Sequence, residues 1–249
     1  MALVECVPNF SEGRDPEKVS SIVDAMRLAP VKVLDVRSDP DHNRTVVTMV
    51  GAPDAVSQAA FLGIARAAEL IDMDQHRGEH PRIGATDVVP FVPLSGIDLE
   101  GCVSLAKALG EKVGRELGIP VYLYEAAATT PERKDLAILR KGQYEGLKDV
   151  IAKDPSRRPD FGPPRLGKAG ATVIGAREYL IACNVYLATE DVEKAKAVAR
   201  KVRERDGGLP FVKAMGFQTH PYVQVSMNLT NFRVTPIHKV LEAIEREAR

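Results

Sequence analysis

The sequence has no net charge, few cysteines and no long hydrophobic segment, and each absence excludes a class of protein. Lysine plus arginine and aspartate plus glutamate both number 34, which argues against nucleic acid as a partner, because phosphate binding needs a basic excess. No apolar run approaches the roughly 18 residues that span a bilayer, and the first residues lack a basic segment followed by an apolar core, so we expect no signal peptide. Cys6, Cys102 and Cys183 form no Cys-x-x-Cys pair, which is typical of reduced thiols in a cytoplasmic protein.

Motifs for several kinds of chemistry are also missing. The sequence has neither a serine or cysteine nucleophile motif nor a phosphate-cradling glycine loop. His76 and His80 have the spacing that places two imidazoles on one helical face, but Gly78 between them and Pro81 after them disfavour a helix. We therefore predict no metal site. A metal-dependent hydrolase is the alternative, and it would show chelator-sensitive activity.

The sequence does contain a regular alternation of predicted strands and helices. Helix starts are indicated by Asp15 with Pro16, by Pro53 and by Asp98, and Gly118 indicates the end of the third helix. Strands are predicted at residues 4–7, 31–36, 45–50, 83–92 and 121–124. The second and third strands are predicted to form a hairpin, and the fourth is predicted to be interrupted by Pro90.

The chain changes character after residue 131 and then returns to the same alternation. Prolines and glycines between Asp154 and Gly170 exclude a helix there, so we expect an ordered segment that crosses between two domains. The remaining residues predict the order β-α-β-β-α, with Thr189 as the first helix cap. The predicted fold is α/β (α+β), with two ferredoxin-like, split-βαβ subdomains at residues 1–170 and 171–249. The second lacks the last strand of that motif and is expected to be shortened.

Residues 76–93 carry the strongest functional signal. Histidines, arginines and carboxylates surround Pro81 and Gly84 in this stretch, HRGEHPRIGATDVVPFVP. Pro81 disfavours a helical conformation at His80 and so presents its imidazole, and a histidine exchanges a proton near neutral pH. His80 is therefore a candidate for proton transfer. The alternative is a polar turn before a buried strand.

Three other polar clusters are candidates for the same cleft. Residues 5–14, which include Asn9, are typical of a strand-to-helix loop near a ligand, although an ordinary capped turn has the same composition. Arg44 and Arg82 are each suited to bind a substrate carboxylate through two parallel hydrogen bonds. The alternative interpretation is a surface salt bridge. Residues 222–232 alternate strictly and place Asn228 on the polar face of a strand, which is also typical of a solvated sheet.

Taken together, these stretches resemble the formiminotransferase domain of glutamate formimidoyltransferase. The similarity is carried, in order along almost the whole chain, by ECVPNFSEGR at 5–14, NRTV at 43–46, LIDM at 70–73, GEHPRIGA at 78–85, PVYLY at 120–124, PDFGP at 159–163, GAT at 170–172 and GAR at 175–177. No single piece is specific, but the set is.

The resemblance implies transfer of a formimino group from N-formimino-glutamate to tetrahydrofolate in histidine degradation. It implies two α/β subdomains with the ligands in a groove between them, a homodimer, and tetrahydrofolate as co-substrate. His80 matches the family's catalytic histidine and is expected to act as general acid and base. The family's folate-contacting segment falls on Gly162, Pro163, Pro164, Arg165, Leu166, Gly167, Lys168, Ala169 and Gly170.

Two departures from the family pattern leave alternatives open. The family's domain continues with a further strand and helix beyond the point where this sequence stops, and the segment Arg165–Ala169 is shorter and more basic than its counterpart. Formyl transfer between 5-formyl-tetrahydrofolate and glutamate is one alternative. A folate-binding protein without catalysis is the other.

Overall fold

The computed structural model describes residues 2–219 and 221–248. The chain forms two compact units, Met1–Arg177 and Glu178–Arg249. The outer ends of the predicted domains, Met1 and Arg249, lie outside the described residues. The sequence predicts the boundary between the two domains after Gly170, whereas in the structure the first compact unit extends to Arg177.

The first unit alternates strands with helices, as the sequence predicts. Its elements are β1 (Leu3–Cys6), β2 (Asn9–Phe10), α1 (Pro16–Met26), β3 (Lys32–Asp39), β4 (Arg44–Gly51), α2 (Pro53–Leu70), β5 (Thr86–Ser95), α3 (Leu99–Glu116), β6 (Val121–Glu125), α4 (Leu136–Leu139), α5 (Gln143–Val150) and β7 (Thr172–Ala176). Two short 3-10 helices lie at Pro131–Lys134 and Pro155–Arg157.

The strands of the first unit form one seven-stranded sheet. β3 pairs with β4, β1 and β2 both lie between β4 and β5, and β7 and β6 complete the other side. All pairs are antiparallel except those of β7, which runs parallel to both β5 and β6. Because β7 fills the position between two earlier strands, residues 172–176 belong to this sheet.

Capping residues fix the helix starts that the sequence predicts. The Asp15 carboxylate accepts hydrogen bonds from the backbone N–H groups of Glu17 at 3.0 Å and Lys18 at 3.2 Å, ahead of Pro16. Asp98 accepts from the N–H of Gly101 at 2.8 Å. The buried sides of α1, α2 and α3 pack on the sheet in one hydrophobic core, in which each large apolar side chain contributes roughly 1.5–3 kcal/mol.

β5 corrects one prediction. The strand is not interrupted at Pro90 but continues through Pro90 and Pro93, which lie opposite Gly175 and Val4. A proline lacks only the N–H group, and the Pro90 carbonyl still accepts a hydrogen bond from Val7 N at 3.3 Å. The strand also begins later than predicted, at Thr86, because the preceding residues bond outside the sheet.

The segment Asp154–Gly170 is ordered and packs on the first unit. Phe161 lies on α3 at two glycines, where a Cβ on Gly110 would be 3.1 Å from its ring and one on Gly114 would be 2.9 Å from its Cβ. Its carbonyl accepts a hydrogen bond from Val121 N at 2.9 Å. The aromatic side chain therefore anchors the segment that we predicted to cross between domains.

The second unit has the predicted order β-α-β-β-α. It comprises β8 (Ile181–Leu187), α6 (Val192–Val202), β9 (Val212–Gln218), β10 (Val223–Leu229) and α7 (Ile237–Ala248), with the antiparallel strand order β8-β10-β9 and its own hydrophobic core. The cap of α6 is Asp191 and not Thr189, because Asp191 accepts from Glu193 N at 3.0 Å. Among the described residues, no helix of either unit combines the length and hydrophobicity that a membrane span requires.

Candidate active site

The loop that contains His80 packs against the turn between β3 and β4. Glu79 N donates to the carbonyl of Asp41 at 3.2 Å. Gly78 lies so close to that turn that a Cβ there would be 2.3 Å from the carbonyl oxygen of His42 and 2.8 Å from Cβ of Asn43. Glycine is therefore required by the close approach of two backbones, and this approach brings the two predicted clusters together.

Side chains from the loop, the turn and the neighbouring strands line one shallow depression. Its lining is polar and rich in imidazole and guanidinium groups: Phe10, Ser11, His42, Asn43, Arg44, His76, His80, Arg82 and Asp87. Three of the predicted site residues, His80, Arg44 and Arg82, therefore face the same depression. Asn9 is bonded to Arg44 beside it.

Arg82 is the most heavily bonded side chain of the site. Its guanidinium forms two parallel hydrogen bonds with the Glu145 carboxylate, at 2.7 and 2.8 Å, and donates to Gln143 Oε1 at 2.9 Å. It also donates to Nδ1 of His76 at 3.1 Å and to the His76 carbonyl at 3.2 Å. All five N–H groups of an arginine are used by these bonds, so a contact between Arg82 and a substrate requires the loss of one of them.

His80 is partly exposed at the depression, and its surroundings favour the neutral imidazole. Burial against the surrounding protein lowers its pKa well below the usual value, and the nearby charges of Arg44, Arg140 and His42 lower it further. The ring of His42 lies edge-on to that of His80, with ring centroids 5.8 Å apart. At neutral pH the His80 ring can therefore accept a proton.

Two further arginines place positive charge beside His80. Arg44, at the start of β4, donates to the side-chain oxygen of Asn9, and Arg140 pairs with the buried carboxylate of Asp87. Burial and the charge of Arg140 lower the pKa of Arg44 to about 10. The Nε atoms of Arg44 and Arg140 are buried and have no hydrogen-bond partner among the described residues. The charge of Arg44 in the lining, with that of Arg140 nearby, therefore suits the depression to an anion.

The predicted folate-binding segment, Gly162–Gly170, ends beside the loop of His80. The carbonyl of Ala169 accepts from Ala85 N at 2.8 Å, and Ala171 N donates to the carbonyl of Ile83 at 2.9 Å. Arg165 and Lys168, farther back in the segment, are exposed. The segment therefore presents basic side chains to solvent and is fixed by backbone bonds near the catalytic candidate.

Asn228 belongs to the second unit. It lies on β10, opposite Ala182 of β8 and Lys213 of β9, and its side chain is exposed. This is the outward position that the strict alternation of the strand predicts.

Some residues of the site had no signal in the sequence. Arg140 follows a single-turn helix, and Gln143 and Glu145 lie at the start of α5. Their contacts with Asp87 and Arg82 join residues more than 50 positions apart. These contacts arise from the packing of α4 and α5 beside the loop of His80, so only the folded structure shows that the three residues belong to the site.

The described residues contain no group of three or more histidine, cysteine, aspartate or glutamate side chains that could hold a metal ion. The two loop histidines do not share a role, because Nε2 of His76 bonds to the carbonyl of Asn43 at 2.9 Å and its Nδ1 accepts from Arg82. The side chains of this site are suited to proton transfer by the imidazole of His80 and to anion binding by the guanidinium groups.

Comparison with known proteins finds similarity along almost the whole chain. Residues 3–177 match the family described as formiminotransferase domain, N-terminal subdomain, and residues 182–249 match the formiminotransferase domain family. The chain is 55% identical over 253 residues to a glutamate formimidoyltransferase of Thermoplasma acidophilum, covering 100% of this chain and 83% of that protein. It is 43% identical to one of Streptococcus pyogenes, covering 99% and 84%. A formimidoyltransferase-cyclodeaminase of Dictyostelium discoideum is 45% identical, with 99% of this chain and 48% of that protein covered.

Proposed function

The chain belongs to the formiminotransferase family, and from this premise we propose that it moves a formimino group from N-formimino-L-glutamate to tetrahydrofolate in histidine degradation. It is a transferase, and we infer that tetrahydrofolate, the co-substrate that the resemblance implies, is also its co-substrate. The products are 5-formimino-tetrahydrofolate and glutamate. The observation that carries the proposal is a neutral imidazole, His80, in a depression lined by guanidinium groups.

The reaction requires one proton to change partners. N5 of tetrahydrofolate attacks the formimino carbon and loses its proton, while the bond from that carbon to the glutamate nitrogen breaks and this nitrogen gains a proton. We assign both transfers to His80, which accepts the proton from N5 and then donates it to the leaving nitrogen. Such general acid and base catalysis contributes roughly 10²–10⁴ in rate.

Binding of the two substrates is assigned to separate parts of the first unit. Arg44, supported by Asn9, holds a carboxylate of the glutamate donor. Gly162–Gly170 contacts the folate, because its end is fixed beside the loop of His80 and its basic residues are exposed. Holding both substrates at one place supplies a further rate advantage by orientation. Arg82 remains a candidate contact of the first unit, although its guanidinium is already hydrogen-bonded within the protein. The role predicted for Asn228 of the second unit stays a prediction.

The resemblance also leads us to infer a cytoplasmic homodimer. Cys6 and Cys102 are buried and Cys183 is half-buried, and such thiols fit a reducing compartment. Light scattering of the purified protein should give twice the chain mass of 27.1 kDa. A mass of one chain at all concentrations would contradict the dimer.

Product analysis tests the proposed reaction. The protein is mixed with tetrahydrofolate and N-formimino-L-glutamate, and in a parallel sample with N-formyl-L-glutamate. We expect 5-formimino-tetrahydrofolate and glutamate in equal amounts from the first mixture. Turnover of the formyl donor alone would replace the proposal with formyl transfer. Tight binding of folinic acid without turnover of either donor would indicate a folate-binding protein without catalysis.

A further inference from the structure

The positive charge beside His80 is only partly balanced within the protein. Arg140 is paired with Asp87, but the hydrogen-bond partner of Arg44 is the neutral amide of Asn9, and Asp87 and Asp39 act on Arg44 through their charge. Both guanidinium groups keep a buried Nε without a hydrogen-bond partner among the described residues. A buried cation that is only partly compensated costs free energy, and a bound anion would remove that cost.

We propose that Arg44 and Arg140 together bind the α-carboxylate of the glutamate donor, and that this carboxylate allows His80 to hold the migrating proton. This inference deepens the proposed function and rests on it. It adds Arg140, which no sequence motif indicated, as a residue that binds the substrate. It also makes the donor itself part of the proton-transfer machinery.

The identity of the carboxylate follows from the chemistry of the donor. The nitrogen that His80 must protonate is bonded to the α-carbon, which also carries the α-carboxylate. An acid that reaches this nitrogen therefore lies beside that carboxylate, whereas the γ-carboxylate is three carbons from the same nitrogen. Arg44 lines the same depression as His80, and so does Asp87, which holds the guanidinium of Arg140. The α-carboxylate is therefore the one that we place beside both arginines.

Asp87 holds Arg140 in place for this role. Its Oδ2 pairs with the guanidinium of Arg140, and its Oδ1 accepts a hydrogen bond from Ile83 N at 2.9 Å. The Asp87 side chain is only 3% exposed. Asp87 thereby links the guanidinium to the loop that carries His80, so the acid and the anion site keep a fixed relation.

The proton balance gives the carboxylate its second role. When His80 accepts the N5 proton it becomes an imidazolium near the guanidinium groups of Arg44 and Arg140, an arrangement of like charges. His42, His76, Arg82 and Asp87 also line the depression. Asp87 and Glu145 are already paired with Arg140 and Arg82, and Asp39 lies 4.0 Å from His42 and acts on Arg44 through its charge. The incoming carboxylate adds a further negative charge beside the two guanidinium groups. It leaves with the glutamate product, after His80 has returned the proton to the glutamate nitrogen.

The test is the titration of His80 followed by NMR in the whole protein, with and without three ligands that undergo no transfer. N-Acetyl-L-glutamate has both carboxylates, N-acetyl-L-glutamine lacks the γ-carboxylate and N-acetyl-L-isoglutamine lacks the α-carboxylate, and the acetyl group removes the charge of the α-amino group. We expect saturating N-acetyl-L-glutamate and N-acetyl-L-glutamine to raise the pKa of His80 by about one unit or more, as an opposite charge within contact range does. N-Acetyl-L-isoglutamine should leave it unchanged. A shift with the isoglutamine derivative but not with the glutamine derivative, or no shift with any ligand, would overturn the proposal.

Variants test the guanidinium pair separately. Arg140→Gln should weaken binding of N-acetyl-L-glutamate roughly tenfold or more and remove the shift of the His80 pKa, and Arg140→Lys should retain part of both. Arg37→Gln, at a side chain 82% exposed on β3, is the matched control for loss of one positive charge. Unchanged binding in Arg140→Gln would refute the role of Arg140. If Arg140→Gln does not fold, the three ligands on the unmodified protein still decide.

Failure of this inference and failure of the proposed function are distinguishable. The NMR titration needs no turnover, so it reports on the carboxylate and His80 even if His80 is not the catalytic group. Conversely, absence of transfer from N-formimino-L-glutamate in the product analysis would overturn the proposed function whatever the titration gives. Full transfer activity in a protein without His80 would overturn only the catalytic role of His80.

Discussion

The Nε of Arg82 donates a hydrogen bond to Nδ1 of His76 at 3.1 Å, and this bond sets the protonation state of the imidazole. An arginine N–H can only donate and a carbonyl can only accept, so Nδ1 of His76 is bare and its Nε2 carries the proton that bonds to the Asn43 carbonyl at 2.9 Å. Burial also lowers the pKa of His76. His76 is therefore a neutral structural residue.

Replacement of His76 should affect stability more than catalysis. His76→Asn leaves the Nε of Arg82 and the carbonyl of Asn43 without their partner, which should cost about 1–3 kcal/mol of unfolding free energy. Urea unfolding measures the loss, and turnover per folded molecule should fall only a few-fold. His238→Asn, on an exposed position of α7, is the matched control. Unchanged stability together with a shifted pH profile of transfer would instead make His76 a titrating group.

The ion pair between Arg82 and Glu145 predicts a pH dependence of stability. The guanidinium lowers the pKa of Glu145 from 4.5 to about 2. A depressed carboxyl pKa stabilises the folded protein above pH 4.5, and this contribution is lost as the pH falls toward about 2. Because the Glu145 side chain is 56% exposed, the contribution should be about 1 kcal/mol or less.

Urea unfolding at several pH values between 5 and 2 checks this window. The unmodified protein should lose more stability on acidification than Glu145→Gln does. Glu111→Gln, at an exposed glutamate of α3 with a side chain 64% exposed, should behave like the unmodified protein. Parallel curves for the unmodified protein and Glu145→Gln would contradict the predicted contribution of the ion pair.

Gly78 should tolerate no side chain. In Gly78→Ala the added methyl meets the carbonyl of His42 and Cβ of Asn43, so the loop of His80 must move from the turn. We expect a loss of about 1–3 kcal/mol in unfolding free energy and a lower transfer rate. Gly146→Ala is the contrasting variant, because nothing lies within 4 Å of the added methyl and alanine favours α5 by roughly 0.5–1 kcal/mol. Equal effects of the two substitutions would refute the packing argument.

The basic residues of Gly162–Gly170 should affect folate binding without affecting stability. Arg165 and Lys168 are exposed, so the double change Arg165→Gln and Lys168→Gln should leave the thermal midpoint nearly unchanged. It should weaken binding of a polyglutamated tetrahydrofolate a few-fold more than that of the monoglutamate, and the difference should shrink at high salt. Equilibrium binding at two salt concentrations measures this. Equal affinity of both proteins for both folates would exclude a contact with the tail.

The elements that local chemistry determines could be predicted from the sequence. Asp15 with Pro16 and Asp98 mark helix starts through bonds to their own next residues, and the structure has helices from Pro16 and Leu99. The hairpin of β3 and β4 follows from two β-branched runs around a polar turn. The central position of β7 could not be predicted, because it depends on pairing with β5 and β6, far away in the sequence.

The residues of the candidate site also fall into those that local sequence indicates and those that only the folded chain brings together. His80 lies in a stretch where histidines, arginines and carboxylates surround Pro81 and Gly84, and this composition indicates a functional role. Arg44 and Asn9 lie in polar stretches that also occur in ordinary turns, so their role was indicated only together with the family resemblance. Arg140 lies in a stretch of ordinary helical composition, and its proximity to Asp87 arises only from tertiary packing. The sequence also could not predict that the N–H groups of Arg82 are hydrogen-bonded within the protein, since its partner Glu145 lies 63 residues farther along the chain.

The central claim is that His80 transfers the proton, and the most direct measurement compares the transfer rate and folate binding in His80→Ala. We expect the rate at saturating tetrahydrofolate and N-formimino-L-glutamate to fall by roughly 10²–10⁴, while the dissociation constant for folinic acid changes by no more than a few-fold. A variant that transfers the formimino group at the rate of the unmodified protein would contradict the account.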